Sequence, residues 1–274
     1  MLPALGGDKL RAMIIAADNL SAARPSVRRA MAQRDAQAIG HICQRAASAG
    51  AHWLDLNPGY VPTAQRDEVW RFLVQTAEAA CALKLILDAP QADSLALALK
   101  YCTRPPVLNM ATAQEERLGP ILDLAAAHGL EVVAATMTHT VPPTSDQRLA
   151  LAALIVEEAA RRGIEGPRLI LDPMVLPLAL AGGEAQAKAV LSTLRALPCL
   201  FDPAPRSLIA ISNLTTATAS ARAQFAGPPF LAAAFGAGLD VALLDVSDPA
   251  LMATARLCAV FDDERLFAPA EHQA

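Results

Sequence analysis

The sequence predicts a (β/α)8 barrel of the TIM type, and three observations favour this fold. Short apolar runs alternate with longer amphipathic segments throughout the chain, and eight such pairs follow one another. The length of 274 residues is close to the roughly 250 residues that such a barrel needs. Because strict alternation of strands and helices is typical of a parallel sheet, and eight units favour closure, we expect one barrel domain over residues 1–274.

Each predicted strand is a short apolar run bounded by turn residues, and each predicted helix is a longer segment with periodic apolar positions. The strands are, in chain order, Met13–Ala17, Ala51–Leu56, Lys84–Leu87, Pro106–Leu108, Glu131–Ala135, Arg168–Leu171, Ser207–Ile211 and Val241–Leu244. The helices cover residues 25–49, 64–82, 91–101, 114–128, 145–162, 184–197, 216–236 and 248–261. Gly50, Gly129 and Gly163 fall just after helical patterns, where a left-handed residue closes a helix.

Composition argues against several classes of function. The chain is 54% hydrophobic and only 18% charged, which indicates a large buried core. A net charge of −4 without a basic block gives no reason to expect nucleic-acid binding. No apolar run approaches the ~20 residues of a membrane span, and we find no signal-peptide pattern, so no membrane association is expected. Five scattered cysteines without CxxC spacing indicate reduced thiols and a cytoplasmic protein.

Polar side chains follow every predicted strand. Because the carboxyl ends of parallel strands meet on one face of a barrel, we expect these side chains to share one site. A buried carboxylate or amide is costly unless paired, so such a ring implies a polar ligand, a metal ion or a mutual network. The alternative is that Asp and Asn merely begin loops or cap helices. The residues are Asp18, Asn19, Asp55, Asn57, Asp88, Asn109, Thr136, Asp172, Asn213 and Asp245.

The residue types at these strand ends narrow the ligand. Asp and Asn dominate, whereas Lys, Arg and His are nearly absent. A phosphate group requires cations, glycine-rich loops or helix N-termini. Carboxylates instead accept from rows of N–H donors such as those of a pterin ring, and amides complete a mixed edge. Oxygen ligands also suit divalent cations, but without a local Asp-x-Asp or His-rich spacing we predict a pterin site and no metal.

Segments at these strand ends carry a resemblance to a known family. They are Leu54-Asp-Leu-Asn-Pro-Gly59, Leu85-Ile-Leu-Asp88, Leu108-Asn109, Thr136-Met137 with Ser145-Asp-Gln-Arg-Leu-Ala150, Leu171-Asp-Pro-Met-Val-Leu-Pro177, Asp202-Pro-Ala-Pro205 and Ile211-Ser-Asn-Leu214. In this order they resemble the methyltetrahydrofolate:corrinoid protein methyltransferases, and more distantly the folate-binding module of cobalamin-dependent methionine synthase. The resemblance runs from about Met13 to Phe261.

The resemblance implies a pterin-binding barrel that moves a methyl group between N5 of tetrahydrofolate and the cobalt of a corrinoid such as cobalamin, in either direction. The corrinoid would be carried by a partner protein, the second substrate would be tetrahydrofolate or 5-methyltetrahydrofolate, and the enzyme would be a homodimer of one-carbon metabolism. By matching positions, pterin-binding residues would be Asp88, Asn109 and Asp172, and Asn213 would act as the catalytic residue near N5. We expect further contacts from the matched segments, at Asp55, Asn57 and Ser212.

Departures from the family pattern leave two alternatives open. Residues 16–20 lack the acid–arginine pair usual after the first strand, and Ala89 and Met110 make the mouth less polar than is usual. These changes motivate one alternative, a non-catalytic relative that binds a pterin or a corrinoid protein. The second alternative is a dihydropteroate synthase-like enzyme, whose pyrophosphate leaving group needs basic residues near the last strands. Only Arg206 and Arg222 are candidates there.

Overall fold

The computed structural model describes residues 13–216 and 225–261, in which eight parallel strands close into a barrel. Strands that follow one another in sequence are neighbours in the barrel, and the eighth strand pairs with the first. This order confirms the predicted (β/α)8 fold. The strands are β1 (Ile14–Ser21), β2 (Trp53–Asn57), β3 (Lys84–Asp88), β4 (Val107–Thr112), β5 (Glu131–Ala135), β6 (Leu169–Asp172), β7 (Arg206–Ala210) and β8 (Val241–Leu244).

Helices follow the strands and pack on the outside of the barrel. They are α1 (Pro25–Gln33), α2 (Ala36–Ala49), α3 (Arg66–Ala80), α4 (Ala92–Leu99), α5 (Glu115–His128), α6 (Ser145–Ala160), α7 (Gly183–Leu200), α8 (Ile211–Thr215), α9 (Gly227–Phe235) and α10 (Pro249–Phe261). Gly50 and Gly129 close α2 and α5 in the left-handed conformation, as predicted. None of the helices in the two described ranges is long and apolar enough to cross a membrane.

Several predicted elements differ from the structure in their bounds, and one predicted helix is divided. The helix predicted over residues 25–49 is divided into α1 and α2, because Arg34 adopts a left-handed conformation and the Asp35 carboxylate caps α2 at the backbone N–H of Ala38. The strand predicted over Ser207–Ile211 ends one residue earlier, and Ile211 begins the short helix α8. Of the helix predicted over residues 216–236, α9 is observed, and residues 217–224 lie outside the described residues.

The interior of the barrel carries an apolar layer with a polar layer above it. Inward-pointing side chains recur at every second residue of a strand. The apolar layer includes Ala16, Trp53, Ile86, Val107 and Ile170. The residues two positions further along the same strands are Asp18, Asp55, Asp88, Asn109 and Asp172, which face the interior near the carboxyl ends. On β7 and β8 the corresponding positions are Ala210 and Leu243, so one side of the mouth is acidic and the other apolar.

The amino-terminal end of the barrel is closed by ion pairs around an aromatic ring. Lys84 and Arg206 each lie 5.4 Å from the centre of the Trp53 ring. Glu131 pairs with Lys84 and, at 2.6 Å, with Arg206. This network shields the bottom of the apolar layer from solvent, at the opposite end from the polar layer.

Candidate functional site

The polar layer surrounds a cavity of about 480 Å³ at the carboxyl ends of the strands, which we call the mouth cavity. All seven site residues predicted from the sequence line it, namely Asp55, Asn57, Asp88, Asn109, Asp172, Ser212 and Asn213. Thr136 does not line it; it is fully buried, and its backbone N–H donates to the carbonyl of Asp172. Four carboxyl groups share the cavity, from Asp18, Asp55, Asp88 and Asp172. The barrel therefore brings acids from four strands into one site.

Asp55 is the most deeply buried of these acids, with an exposed fraction of 2%. Its Oδ1 atom has no hydrogen-bond partner in the described protein. Burial raises the pKa of Asp55 well above its ordinary value, the charges of Asp88 and Asp18 raise it further, and the side chain of Asn109 offsets part of the effect. This setting favours the neutral acid, and hydrogen-bond donors from a ligand would favour the carboxylate.

Asp88 is positioned by the neighbouring strand. The side-chain amide of Asn57 donates to Asp88 Oδ2 at 2.7 Å, while Asn57 Oδ1 accepts from the backbone N–H of Gly59 at 2.9 Å. Because both ends of the amide are engaged, its orientation is set. Burial raises the pKa of Asp88 to about 7, although the Asn57 bond and the charge of Arg117 act in the opposite direction.

Asp172 lies at the end of β6, and its carboxylate accepts a hydrogen bond from the backbone of the loop that follows. The backbone N–H of Met174 donates to Asp172 Oδ1 at 2.7 Å. Burial raises the pKa of Asp172 to about 7, partly offset by this bond and by the charge of Arg148. Arg148 is fully buried on α6 and donates to the backbone carbonyls of Pro142 and Gln186. This buried cation supports the ionised form of Asp172 from outside the mouth cavity.

Asp18 and Arg24 also line the cavity. Asp18 was among the polar residues expected at the strand ends but was not assigned to the pterin, and Arg24 was not predicted. Arg24 Nη2 binds Asp18 at 2.9 Å, and Arg24 Nη1 binds Asp245 at 3.0 Å. An acid–arginine pair therefore exists beside the first strand, although its two members are six positions apart in the chain. Asp18 was predicted at the end of the first strand, directly after Ala17, and the structure places it within β1. No local pattern links Arg24 to Asp18.

Ser212 and Asn213 reach the cavity from α8, the short helix directly after β7. A hydrogen bond links Ser212 to the Asp18 carboxyl and lowers the pKa of that acid, although burial dominates and the pKa stays raised. The side chain of Asn213 makes no hydrogen bond to the described part of the chain. Its amide is therefore available to a ligand.

The electrostatics of the mouth cavity favour a ligand rich in hydrogen-bond donors. The buried acids have raised pKa values because their charges are poorly solvated, so N–H donors from a ligand would stabilise the carboxylate forms. Among the described residues, no group of three or more His, Cys, Asp or Glu side chains has the arrangement of a metal site. A flat heterocycle with several N–H groups matches the cavity in size and in hydrogen-bonding character.

Comparison with known proteins identifies the same class of ligand. A family model described as pterin binding enzyme matches residues 22–245 of this chain. The methylcorrinoid:tetrahydrofolate methyltransferase of Eubacterium limosum is 26% identical over 169 residues, which are 61% of this chain. The alignment covers 62% of that relative, so the similarity spans about three fifths of its length.

Solved structures of dihydropteroate synthases share the fold. The Xanthomonas albilineans enzyme in complex with 7,8-dihydropteroate aligns with a TM-score of 0.69 at 19% identity, covering 93% of this chain and 95% of that one. The Yersinia pestis enzyme with a pterine-sulfa conjugate aligns with a TM-score of 0.64 at 15% identity, covering 95% and 98%. At these identities the likeness concerns the architecture alone.

Proposed function

This chain belongs to the pterin binding enzyme family, and we propose that it is a methyltransferase acting between tetrahydrofolate and a corrinoid. The pterin ring lies in the mouth cavity, and the methyl group moves between N5 and cobalt. A corrinoid on a partner protein supplies the cobalt that holds the methyl group. We propose transfer toward tetrahydrofolate, the direction given by the name of the Eubacterium limosum relative.

The main support for the proposal is that buried carboxyl oxygens meet in the mouth cavity, where the protein supplies too few hydrogen-bond donors for them. Asp55 Oδ1 is buried and unpartnered, and the pKa values of Asp88 and Asp172 are raised to about 7. The pterin edge presents an amino group and ring N–H groups in a row, which match carboxylate and amide oxygens. We assign the binding of that edge to Asp88, Asn109 and Asp172. Asp55 lies beneath the ring, and Asn57 lies beside it. Binding then supplies the missing donors and stabilises the ionised acids.

Asn213 acts at the reacting nitrogen. When the lone pair of N5 takes the methyl group from methyl-Co(III), the cobalt–carbon bond would break and the cobalt would leave as Co(I) with both electrons. Positive charge then develops on N5, and its proton must leave. The Asn213 amide oxygen accepts a hydrogen bond from N5–H, which stabilises that charge, and the amide N–H donates to N5 when the nitrogen carries no proton. Asp88 and Asp172 are engaged with the opposite edge of the pterin, so the released proton passes to solvent at the mouth of the cavity. No covalent intermediate with the protein is required.

Dihydropteroate synthase-like activity is the second candidate, because solved synthases share the fold. That reaction releases pyrophosphate, which needs cations near the leaving group. Among the described residues that line the mouth cavity, Arg24 is the one cation, and Asp18 and Asp245 already neutralise it. Arg206 pairs with Glu131 at the opposite end of the barrel, and Arg222 lies outside the described residues. The described cavity therefore favours methyl transfer.

Anaerobic incubation of the purified protein with tetrahydrofolate and methylcobalamin tests the proposal. We expect 5-methyltetrahydrofolate in the product mixture by mass spectrometry, together with protein-dependent loss of methylcobalamin absorbance. Asp146→Asn changes an exposed acid on α6 and is the matched control for Asp172→Asn. Binding of tetrahydrofolate without turnover would favour the non-catalytic alternative. Condensation of a dihydropterin pyrophosphate with p-aminobenzoate would instead identify a synthase.

A further inference from the structure

The mouth cavity is unsuited to the anionic end of a folate. Beyond its pterin, tetrahydrofolate carries an aminobenzoyl ring and a glutamate with two carboxylates. Four carboxyl groups line the mouth cavity, and Arg24, the one cation among its described lining residues, is already bound by Asp18 and Asp245. Like charges repel strongly where solvent screening is weak. The described lining of the mouth cavity therefore offers the tail carboxylates no free cation, and a neighbouring surface with free positive charge suits them better.

A second cavity, of about 380 Å³, adjoins the mouth cavity at Arg24, which lines both. We call it the α1–α2 groove, because the start of α1 and the second half of α2 form most of its wall, together with the loop after β8. No acidic residue lines the groove in the described chain. Ser26, Ser48 and Ser247 contribute hydroxyl groups, and Ile42 contributes apolar surface.

Arg45 gives the groove a positive charge without a counter-ion. Its side chain is exposed and forms neither an ion pair nor a hydrogen bond within the described part of the chain. A third cavity lies between the loops after β2 and β3, and it differs from the groove because its cation is already paired. The guanidinium of Arg66 there donates to Asp93 at 2.9 Å. Arg117 is likewise committed, since it donates to the carbonyl of Pro90 and faces Asp88. Arg45 is therefore the cation best placed to receive an anion.

We propose that the α1–α2 groove binds the aminobenzoylglutamate tail of the folate, with a tail carboxylate against Arg45 and the aromatic ring against Ile42. This assignment rests on the proposed function, because it requires the pterin in the mouth cavity. Arg24 forms the boundary that the tail crosses, and the hydroxyl groups of the groove complete the contacts of the glutamate.

Two ligands that differ only in the tail test the assignment. The dissociation constants of tetrahydrofolate and of a tetrahydropterin without the tail are measured by anaerobic calorimetry for the wild type and for Arg45→Gln. We expect Arg45→Gln to weaken tetrahydrofolate binding by about three- to tenfold, the range for one charge-assisted contact at an exposed site. Tetrahydropterin binding should not change, and Arg45→Lys should recover part of the loss. Arg29→Gln, which removes an exposed charge from α1 outside the groove, is the control.

The outcomes separate this assignment from the proposed function. If Arg45→Gln affects both ligands equally, or neither, while tetrahydropterin still binds, the groove assignment is wrong and the pterin site stands. If Arg45→Gln slows methyl transfer from a corrinoid protein without changing either dissociation constant, the groove contacts the partner instead. If the wild type binds neither ligand, the proposed function fails and the groove assignment fails with it.

Discussion

The side-chain amide of Asn57 at the end of β2 donates a 2.7 Å hydrogen bond to Asp88 Oδ2 at the end of β3. The two residues are 31 positions apart in the chain, and adjacent parallel strands bring them together. This contact connects the barrel geometry to acid–base behaviour, because the bond opposes the burial that raises the pKa of Asp88 to about 7. Both side chains also line the mouth cavity.

Asn57→Ala removes the donor that stabilises the Asp88 carboxylate. We expect the pH midpoint for tetrahydropterin binding to rise by about one unit, since one hydrogen bond to a charged group is worth about 1.4 kcal/mol or more. The measurement is the dissociation constant as a function of pH between 5 and 9. In Asp88→Asn the dissociation constant should no longer show the change with pH that ionisation of Asp88 causes. An unchanged midpoint in folded Asn57→Ala would show that the bond does not control Asp88.

Asp172→Asn should weaken tetrahydrofolate binding by roughly 1–3 kcal/mol, the cost of losing a charged acceptor in a buried site. The Asn amide oxygen still accepts from the N–H of Met174, so the local fold should persist. Affinity is measured by anaerobic calorimetry beside Asp146→Asn. Equal affinity of folded Asp172→Asn and wild type would exclude Asp172 from the pterin contact.

The same variant tests the sign of the pH effect on stability. A carboxyl whose pKa is raised in the folded state contributes stability below its ordinary pKa, and that contribution is lost as pH rises through its folded value, about 7 for Asp172. Without ligand, Asp172→Asn should therefore match the wild type near pH 4 and exceed its unfolding free energy at pH 8, by on the order of 2 kcal/mol. Urea denaturation at both pH values measures the difference. A larger advantage at pH 4 would contradict the raised pKa.

Asn213→Ala should slow methyl transfer more than it weakens folate binding, because its contact with N5 strengthens as charge develops there. Single-turnover rates and dissociation constants measured on the same preparation separate the two effects. Losses of equal size would mean that Asn213 contributes to binding alone.

Arg24→Gln should destabilise the protein by about 1 kcal/mol at pH 7, because Asp18 would keep a partly buried charge without its cation. The value is modest because Arg24 is 36% exposed. Arg161→Gln, which removes a more exposed cation paired with Glu157 and Glu158, should change stability by less than about 0.5 kcal/mol. Burial raises the pKa of Asp18, whereas bonds from Ser247 and Asn19 and the charge of Arg24 outweigh burial and lower the pKa of Asp245. As the pH falls, the part of the Arg24→Gln effect that belongs to Asp18 should therefore be lost before the part that belongs to Asp245.

Arg206→Met tests whether the amino-terminal end of the barrel contributes to stability alone. It removes the cation that pairs with Glu131 and covers Trp53, so we expect a loss of about 1–3 kcal/mol in unfolding free energy. Folate affinity and methyl transfer should match the wild type at a temperature where the variant is folded. Selective loss of activity would place Arg206 in the reaction and favour the synthase alternative.

The carboxyl ends of two strands were predicted incorrectly from the sequence. β1 and β4 were predicted to end at Ala17 and Leu108, but they continue to Ser21 and Thr112. Polar residues end an apolar run in the sequence, whereas the backbone remains in the sheet because inward-facing acids and amides have a cavity to occupy. Asp18 and Asn109 therefore lie within strands.

The order of strands and helices, and the polar residues near the strand ends, follow from local sequence patterns and were predictable from the chain alone. Contacts between distant residues were not. The pairing of Arg24 with Asp18 and Asp245, the unpartnered oxygen of Asp55 and the raised pKa values arise only when the barrel closes. Closure excludes water and brings like charges together, and desolvation and Coulomb energy depend on three-dimensional distance rather than on sequence.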